Sequence, residues 1–395
     1  MVVSERLRVV TALGVVQIFT WGSSFYLLAV LAAPLRAETG WSSTLVTSGV
    51  SIGLLTSGVV AVVVGRLIEA DGGRRVMAGG ATLLALGLVL IGTAQHPAVY
   101  LGAWLIMGMG MAAGLYDAGF ATLGRIYGSQ ARGAISALTL WGGFASTVCW
   151  PLTAALVEWV GWRGACLSYA AFHLCVSVPL CLFAVPRPVP RVPKGDDDAA
   201  VVEPGSVLAD VQFWLFALAM VVTGGLAAFW STHLITIMTA KGLGLAAAVA
   251  LGTVIGPSQV AARVVEMMGR GRHHPVWTVL AYAICGVVGF GGLWMGVPAT
   301  LAFIAYGAGN GLWSIARGAL PLAVFGPERY ARTIGMLALP TFASSALAPL
   351  IGAMLIDRYG AAQAVPISAI LTLIPLIVAA ILVRNHVRAR PGAVR

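Results

Sequence analysis

Charge is what this chain has least of. Only 10% of its residues are Asp, Glu, Lys or Arg and 59% are hydrophobic, where a soluble globular chain carries roughly 25% and 45–50%. So little charge cannot cover a water-facing surface on 395 residues, so much of the surface must face lipid. Lysine is nearly missing: Lys194 and Lys241 are the only two, following Pro193 and Ala240. Neither stands in the Gly-Lys-Ser/Thr setting that neutralises a nucleotide phosphate, which excludes nucleotide hydrolysis as the energy source on this chain. The five cysteines (Cys149, Cys166, Cys175, Cys181, Cys285) lie within apolar stretches without metal-type spacing, as core packing requires. No Ser/His/Asp or paired-carboxylate constellation falls in those stretches. Neither an enzyme nor a cofactor site is expected.

Apolar stretches are what is abundant. About twelve are long enough to cross a ~30 Å hydrocarbon core as helices of ~20 residues: roughly 8–34, 42–65, 75–95, 98–124, 133–157, 162–184, 208–238, 244–268, 275–295, 298–322, 331–355 and 362–383. Their length and continuity exclude the alternating pattern of a barrel strand. The first is too long for a signal-peptide core. The net charge of +10 is topological rather than a nucleic-acid patch. Placing the N-terminus in the cytoplasm puts nearly all arginines on that side, including Arg66, Arg74, Arg75, Arg125, Arg132, Arg329 and Arg332. Only Arg36, Arg163, Lys241 and Arg358 fall opposite. This positive-inside bias predicts both termini in the cytoplasm, as expected of a multi-pass protein of a bacterial inner membrane.

The longest hydrophilic segment, Val185–Ser206, carries Pro186, Pro188, Pro190, Pro193 and the acidic run Asp196–Asp198, the composition of a linker. It divides the chain into a six-helix half (1–184), a cytoplasmic linker (185–207) and a second six-helix half (208–395). The halves align at an offset of about 197 residues. Arg66-Leu-Ile-Glu69 matches Arg263-Val-Val-Glu266, Gly114-Leu-Tyr116 matches Gly311-Leu-Trp313, Pro151-Leu matches Pro349-Leu, and Glu158-Trp-Val-Gly161 matches Asp357-Arg-Tyr-Gly360. The expected fold is an all-α membrane protein of twelve transmembrane helices in two pseudo-symmetric halves, with a substrate site between them near the midplane.

The connection after the second stretch reads Gly65-Arg-Leu-Ile-Glu69-Ala-Asp71-Gly72-Gly73-Arg74-Arg75. It resembles the signature loop of the major facilitator superfamily, with Glu69 where an Asp is usual and Ala70 where an Arg is common. The resemblance implies a gating role for Gly65, Glu69, Asp71, Gly72, Arg74 and Arg75. In that family the acid and the basic residues form a charge network at a helix N-terminus that holds the outward-open state. A narrower resemblance rests on Trp21-Gly-Ser-Ser-Phe-Tyr26, Thr39-Gly-Trp41-Ser42, Gly161-Trp-Arg163, Gly256-Pro-Ser-Gln259-Val-Ala-Ala-Arg263 and Arg317-Gly-Ala-Leu-Pro321. Together these look like the monocarboxylate and oxalate/formate porter branch. Members of that branch that carry oxalate use a basic residue in the eleventh helix. Thr341-Phe-Ala-Ser344-Ser345 has none, so a monoanion is expected rather than a dianion.

Charges inside spans mark function, since one at a helix centre costs roughly 2.5–3.5 kcal/mol on insertion scales. Asp117 is the one acid of fourteen that lies well inside a stretch. Arg317 is the deepest base, and Arg263 lies near the cytoplasmic end of the eighth stretch. Arg317 and Arg263 are candidates to hold a carboxylate through bidentate, charge-assisted bonds. Trp21, Tyr26, Tyr116, Trp313 and Gln259 are expected to line the cavity with them, as are Trp141, Trp150 and Trp230. Asp117 is the candidate carrier of the coupling proton: an aspartate titrates near ~3.9 in water, and burial and a nearby arginine move that value in opposite directions. His233, near the outer end of span seven, is the weaker candidate. The expected function is proton-coupled secondary transport of a small organic anion by a monomer, with solute, protons and the bilayer as its partners. The alternatives are efflux of drugs or inorganic toxicants by proton antiport, and a membrane receptor or lipid-handling protein on the same scaffold.

Overall fold

The computed structural model describes residues 2–187, 205–269 and 272–388. Residues 188–204 of the expected linker, and Arg270, lie outside the described residues. Helices account for nearly all of the described backbone, and no strand occurs in it. In the first half they are α1 (Val2–Gly22), α2 (Leu28–Thr39), α3 (Ser43–Asp71), α4 (Gly73–Thr93), α5 (Pro97–Gly114), α6 (Tyr116–Tyr127), α7 (Arg132–Gly143), α8 (Ala145–Phe172) and α9 (Val178–Ala184). The second half contains α10 (Gly205–Leu208), α11 (Val211–Ala240), α12 (Leu245–Met268), α13 (Pro275–Trp294), α14 (Ala299–Tyr359) and α15 (Ala364–Arg388). Among the described residues seven helical runs are long and apolar enough to cross a membrane. Two of them hold more than one span: Pro97–Ala184 takes in α5 to α9, with a turn at Gly161 (φ 73, ψ 169) inside α8, and α14 turns at Gly326 (φ 74, ψ 165). Such left-handed backbone suits glycine, which has no Cβ to collide with the following carbonyl.

Helix starts follow local chemistry. Ser42 caps α3 by accepting from Leu45 N, and Asp210 caps α11 by accepting from Gln212 N at 2.8 Å. Pro97 and Pro275 sit at the first turn of α5 and α13, where a missing N–H costs nothing. The repeat has a structural counterpart in Gly161 (φ 73) and Gly360 (φ 84), the glycines that close the matched Glu158–Gly161 and Asp357–Gly360 segments.

The buried apolar side chains form clusters that draw chiefly on one half or the other. The halves meet at one end of the bundle, that carrying the turns near 72, 128 and 326. There α3 crosses the second limb of α14 in antiparallel register: a Cβ on Gly65 would strike the Ala331 carbonyl, one on Gly335 the Ala61 carbonyl, and one on Gly58 would press on Leu339. Glycines here let two backbones approach closely. α6 and α7 also pack on α14, and α7 on α12. Toward the other end, among the described residues, α2 and the first limb of α8 make no extensive contact with α11 or α12. The space between the halves therefore opens at that end and closes at the first.

Candidate substrate site between the halves

The fourth apolar stretch is broken at mid-length. Leu115 is extended (φ −77, ψ −174), so α5 ends at Gly114 and α6 begins at Tyr116. The break exposes the Gly114 carbonyl, and Gln17 of α1 donates to it at 2.6 Å. It also places Asp117 in the first turn of a new helix, where the dipole favours a carboxylate. Asp117 pairs with Arg317 of α14. Both side chains are largely buried, so the ion pair ties α6 to α14 at the closed end. Asp117 and Arg317, 200 positions apart in the sequence, are thus each other's partner. Tyr330 closes this region by donating to Gly318 O at 2.7 Å.

Arg263 stands differently. It is 5% exposed, and its guanidinium donates to Ser314 Oγ (2.9 Å) on α14, Thr139 O (3.1 Å) on α7 and Gln259 Oε1 (3.2 Å) one turn back on α12. All three acceptors are neutral, and among the described residues no carboxylate pairs with it. A Cβ on Gly143 would strike Arg263 Nη1, so a side chain there would push the guanidinium out of its present position. Positive-inside counting places Arg263 near the cytoplasmic end of its stretch. It does lie near the C-terminal end of α12, and its side chain is held between the halves by partners on α14 and α7.

Around this cation the first half supplies aromatic rings. Trp21 lies 5.2 Å from Tyr116 and 6.1 Å from Tyr26, and Tyr26 packs edge-on to Trp150 at 5.8 Å. Tyr116 donates to Thr139 O at 3.1 Å, the carbonyl that Arg263 also uses. Tyr26 and Tyr116 both lie close enough to feel the Arg263 charge. Trp21 Nε1 is buried and has no hydrogen-bond partner among the described residues. The structure thus gathers Arg263, Gln259, Tyr26, Tyr116 and Trp21 into one locale.

Trp313 is not among them. It turns into the second-half core, 4.7 Å from Tyr282 and 5.6 Å from Phe216, because the face of α14 that carries it packs on α11 and α13. Trp230 is likewise core, stacked on Phe290 at 4.9 Å and donating to Ser368 Oγ. His233 bonds Pro349 O at 2.9 Å within the second half. Thr139, Ser314 and Gly143 escape sequence reasoning because a backbone carbonyl, a lone serine and a glycine carry no signal until a guanidinium is placed beside them. Ser314 did have one pointer: the 197-residue offset puts it opposite Asp117.

In the signature loop, Gly72 has φ 75 and is buried, and Gly73 abuts Thr122 closely. Glu69 accepts from Arg125 Nε through its backbone carbonyl at 3.4 Å. Among the described residues no ion pair joins Glu69, Asp71, Arg74 or Arg75; what the loop shows is close backbone fit at Gly72 and Gly73. At the open end Glu38 accepts from Arg163 Nε (2.8 Å) and Trp162 Nε1 (2.6 Å), and Arg163 also donates to the carbonyls of Gly92 and Ala94. The Arg163 bond, opposed by slight desolvation and helped by Trp162, holds the Glu38 carboxyl below its usual value of 4.5.

Comparison with known proteins agrees with this architecture. The sequence profile of the Major Facilitator Superfamily matches residues 13–335. No curated protein matches the sequence significantly. Among solved structures, the human organic anion transporter MFSD10 (TETRAN) superposes with a TM-score of 0.73 at 16% identity, over 95% of this chain and 99% of that one. A single-site variant of the Escherichia coli fucose:proton symporter FucP superposes with 0.73 at 12% identity, over 94% and 98%. The proton:xylose symporter XylE, bound to 6-bromo-6-deoxy-D-glucose, gives 0.75 at 12% identity, over 95% of each chain. At such identities the likeness is one of fold. With the family profile spanning well over half of its length on this fold, the chain belongs to the Major Facilitator Superfamily of membrane transporters.

Proposed function

We propose that this chain is a proton-coupled secondary transporter that carries a small organic monoanion across the membrane by alternating access. The observation that carries the reading is Arg263: a buried cation between the halves whose hydrogen-bond partners are all neutral. Burying a charge without a counter-charge costs several kcal/mol, and an incoming carboxylate supplies what is missing. Gln259, Tyr26, Tyr116 and Trp21 surround the same space, and the rings offer an apolar wall to a carbon skeleton. The six-helix halves (1–184 and 208–395) rock about this centre. With both termini cytoplasmic, the closed end is the cytoplasmic one and the site opens outward.

In this reading Asp117 and Arg317 form the coupling element rather than the substrate cradle. Their ion pair bridges the halves at the closed end. Protonating Asp117 removes one of the two charges and loosens the closure, so the cytoplasmic side opens after proton and anion are both bound. The monocarboxylate class rests on the sequence resemblance and on the segment Thr341–Ser345 of the eleventh stretch, which carries no basic residue. Efflux of drugs or inorganic toxicants has no comparable observation in its favour.

The test is transport in proteoliposomes under an imposed pH gradient. Asp117→Asn is expected to abolish proton-driven accumulation of a monocarboxylate while leaving exchange at equal pH intact. Undiminished proton-driven uptake by that variant would remove Asp117 from the coupling step.

A further inference from the structure

We infer that the substrate's carbon skeleton lies in a slot between the glycine face of α12 and Trp150, and that this slot selects flat monocarboxylates over branched ones of similar size. The inference rests on the anion reading of Arg263.

Most exposed positions on α12 lie on one broad face, with Ala250, Thr253, Pro257, Ala261, Val264 and Met268 along it and Ala247 and Val265 at its edge, as on a lipid-facing side. Gly252 and Gly256 form a second stripe, about 120° from the middle of that face at ~100° per residue. Continued toward the closed end, the second stripe meets Gln259 and Arg263, which lie between the halves. Arg263 on this face bonds Thr139 O across the halves, so Gly252 and Gly256, further along it, face the opening between them. A Cβ at Gly252 or Gly256 would meet nothing within 4 Å. These glycines are therefore not packing contacts, unlike Gly307 and Gly311, which abut the backbone of Ile255 and Gln259.

The opposing wall is built the same way. From Gly143, which touches Arg263, the inter-half face of α7 and α8 continues through Thr147, Trp150 and Ala154, all exposed. Trp150 is 45% exposed and braced edge-on by Tyr26. The two faces touch at Gly143 and Arg263 and diverge beyond, forming a cleft with the guanidinium at its apex. Trp150 lies seven residues beyond Gly143, and Gly256 lies seven residues from Arg263 in the same direction. At 1.5 Å per residue Trp150 stands ~10 Å from the contact; because the guanidinium makes that contact about one turn back from the Arg263 Cα, Gly256 and Gly252 stand ~5 and ~11 Å from it, so the indole is set opposite the glycine stretch of α12. Because the Arg263 side chain points back toward Gln259, a carboxylate on it sits about one turn below Gly256, and its tail must pass between glycine and indole. A ring or unbranched chain needs the least width to pass face-on, and a tetrahedral carbon with three methyl groups the most.

The experiment is a thermal-shift titration of the purified chain with acetate, benzoate and pivalate, in the wild type and in Arg263→Gln, Gly256→Val, Gly252→Val and Trp150→Ala. The expected order for the wild type is benzoate tightest, then acetate, with pivalate weakest. Gly256→Val should weaken benzoate at least tenfold while changing acetate less than threefold, and Trp150→Ala should bring benzoate down to the level of acetate. Equal weakening of all three acids by Gly256→Val, or a wild type that binds pivalate as well as benzoate, overturns the slot. A wild type stabilised by none of the three, or stabilised equally after Arg263→Gln, overturns the anion reading itself. Unchanged unfolding temperatures without ligand show that the variants fold.

Discussion

Replacing Arg263 by glutamine should separate binding from stability, and the structure gives both magnitudes. On the binding side, a carboxylate loses a charge-assisted, two-pronged contact. Hydrogen bonds to charged groups are worth ~1.5–3 kcal/mol each, and some is recovered by the glutamine amide, so a net loss of about 3 kcal/mol, roughly a hundredfold in Kd, is expected. On the stability side little is orphaned. Thr139 O keeps the Tyr116 hydroxyl at 3.1 Å, Ser314 Oγ still donates to Gly311 O at 2.7 Å, and Gln259 lies one turn away to pair with the new amide. Removing an uncompensated buried charge offsets the lost bonds, so the ligand-free protein should change by no more than ~1 kcal/mol. In thermal unfolding, ligand at 100 times the wild-type Kd should stabilise the wild type by ~2.7 kcal/mol and the variant by only ~0.4 kcal/mol. Arg263→Lys should fall between, since it keeps the charge without the planar fork. A variant that responds to ligand like the wild type refutes the argument. So does one that loses several kcal/mol without ligand, because Arg263 would then be a structural group.

The Asp117–Arg317 pair should behave in the opposite way. Arg317→Gln strands a buried carboxylate and should cost about 3–5 kcal/mol, whereas Asp117→Asn combined with Arg317→Gln should recover most of that loss in the unfolding midpoint. Additive losses would show that the two do not act as a pair. Gly65→Val should impair transport more than expression, since its side chain meets the Ala331 carbonyl where the halves close; wild-type uptake would make that seam dispensable. Acid should weaken the open-end clamp. Because folding lowers the Glu38 pKa, its contribution is full above the unfolded value near 4.5 and is lost as pH falls through the folded one. Glu38→Gln should flatten stability over that acid range, and an unchanged pH profile would show the clamp to be incidental.

Much of the fold was legible in hydropathy, because a helix in lipid must satisfy its own backbone and so writes itself as a run of apolar residues. The 197-residue offset was legible for a related reason: equivalent helices need the same glycines and prolines at the same depths. The deep charges could also be located, since each is costly enough to stand out from its stretch. Their partners could not. Asp117 and Arg317 occupy matching depths, yet nothing local says that they pair with each other while Arg263 is left among neutral acceptors. Trp313 shows the same limit: its depth suits the cavity, but the packing of α14 on α11 and α13 turns it into the core. Depth along a helix is a property of the chain and can be counted, so the sequence alone determined the all-helical membrane fold and the list of costly charges. Direction around a helix is set by which neighbours pack on it, through contacts more than a hundred residues apart. For that reason only the tertiary structure decided which arginine faces an acid and which still awaits one.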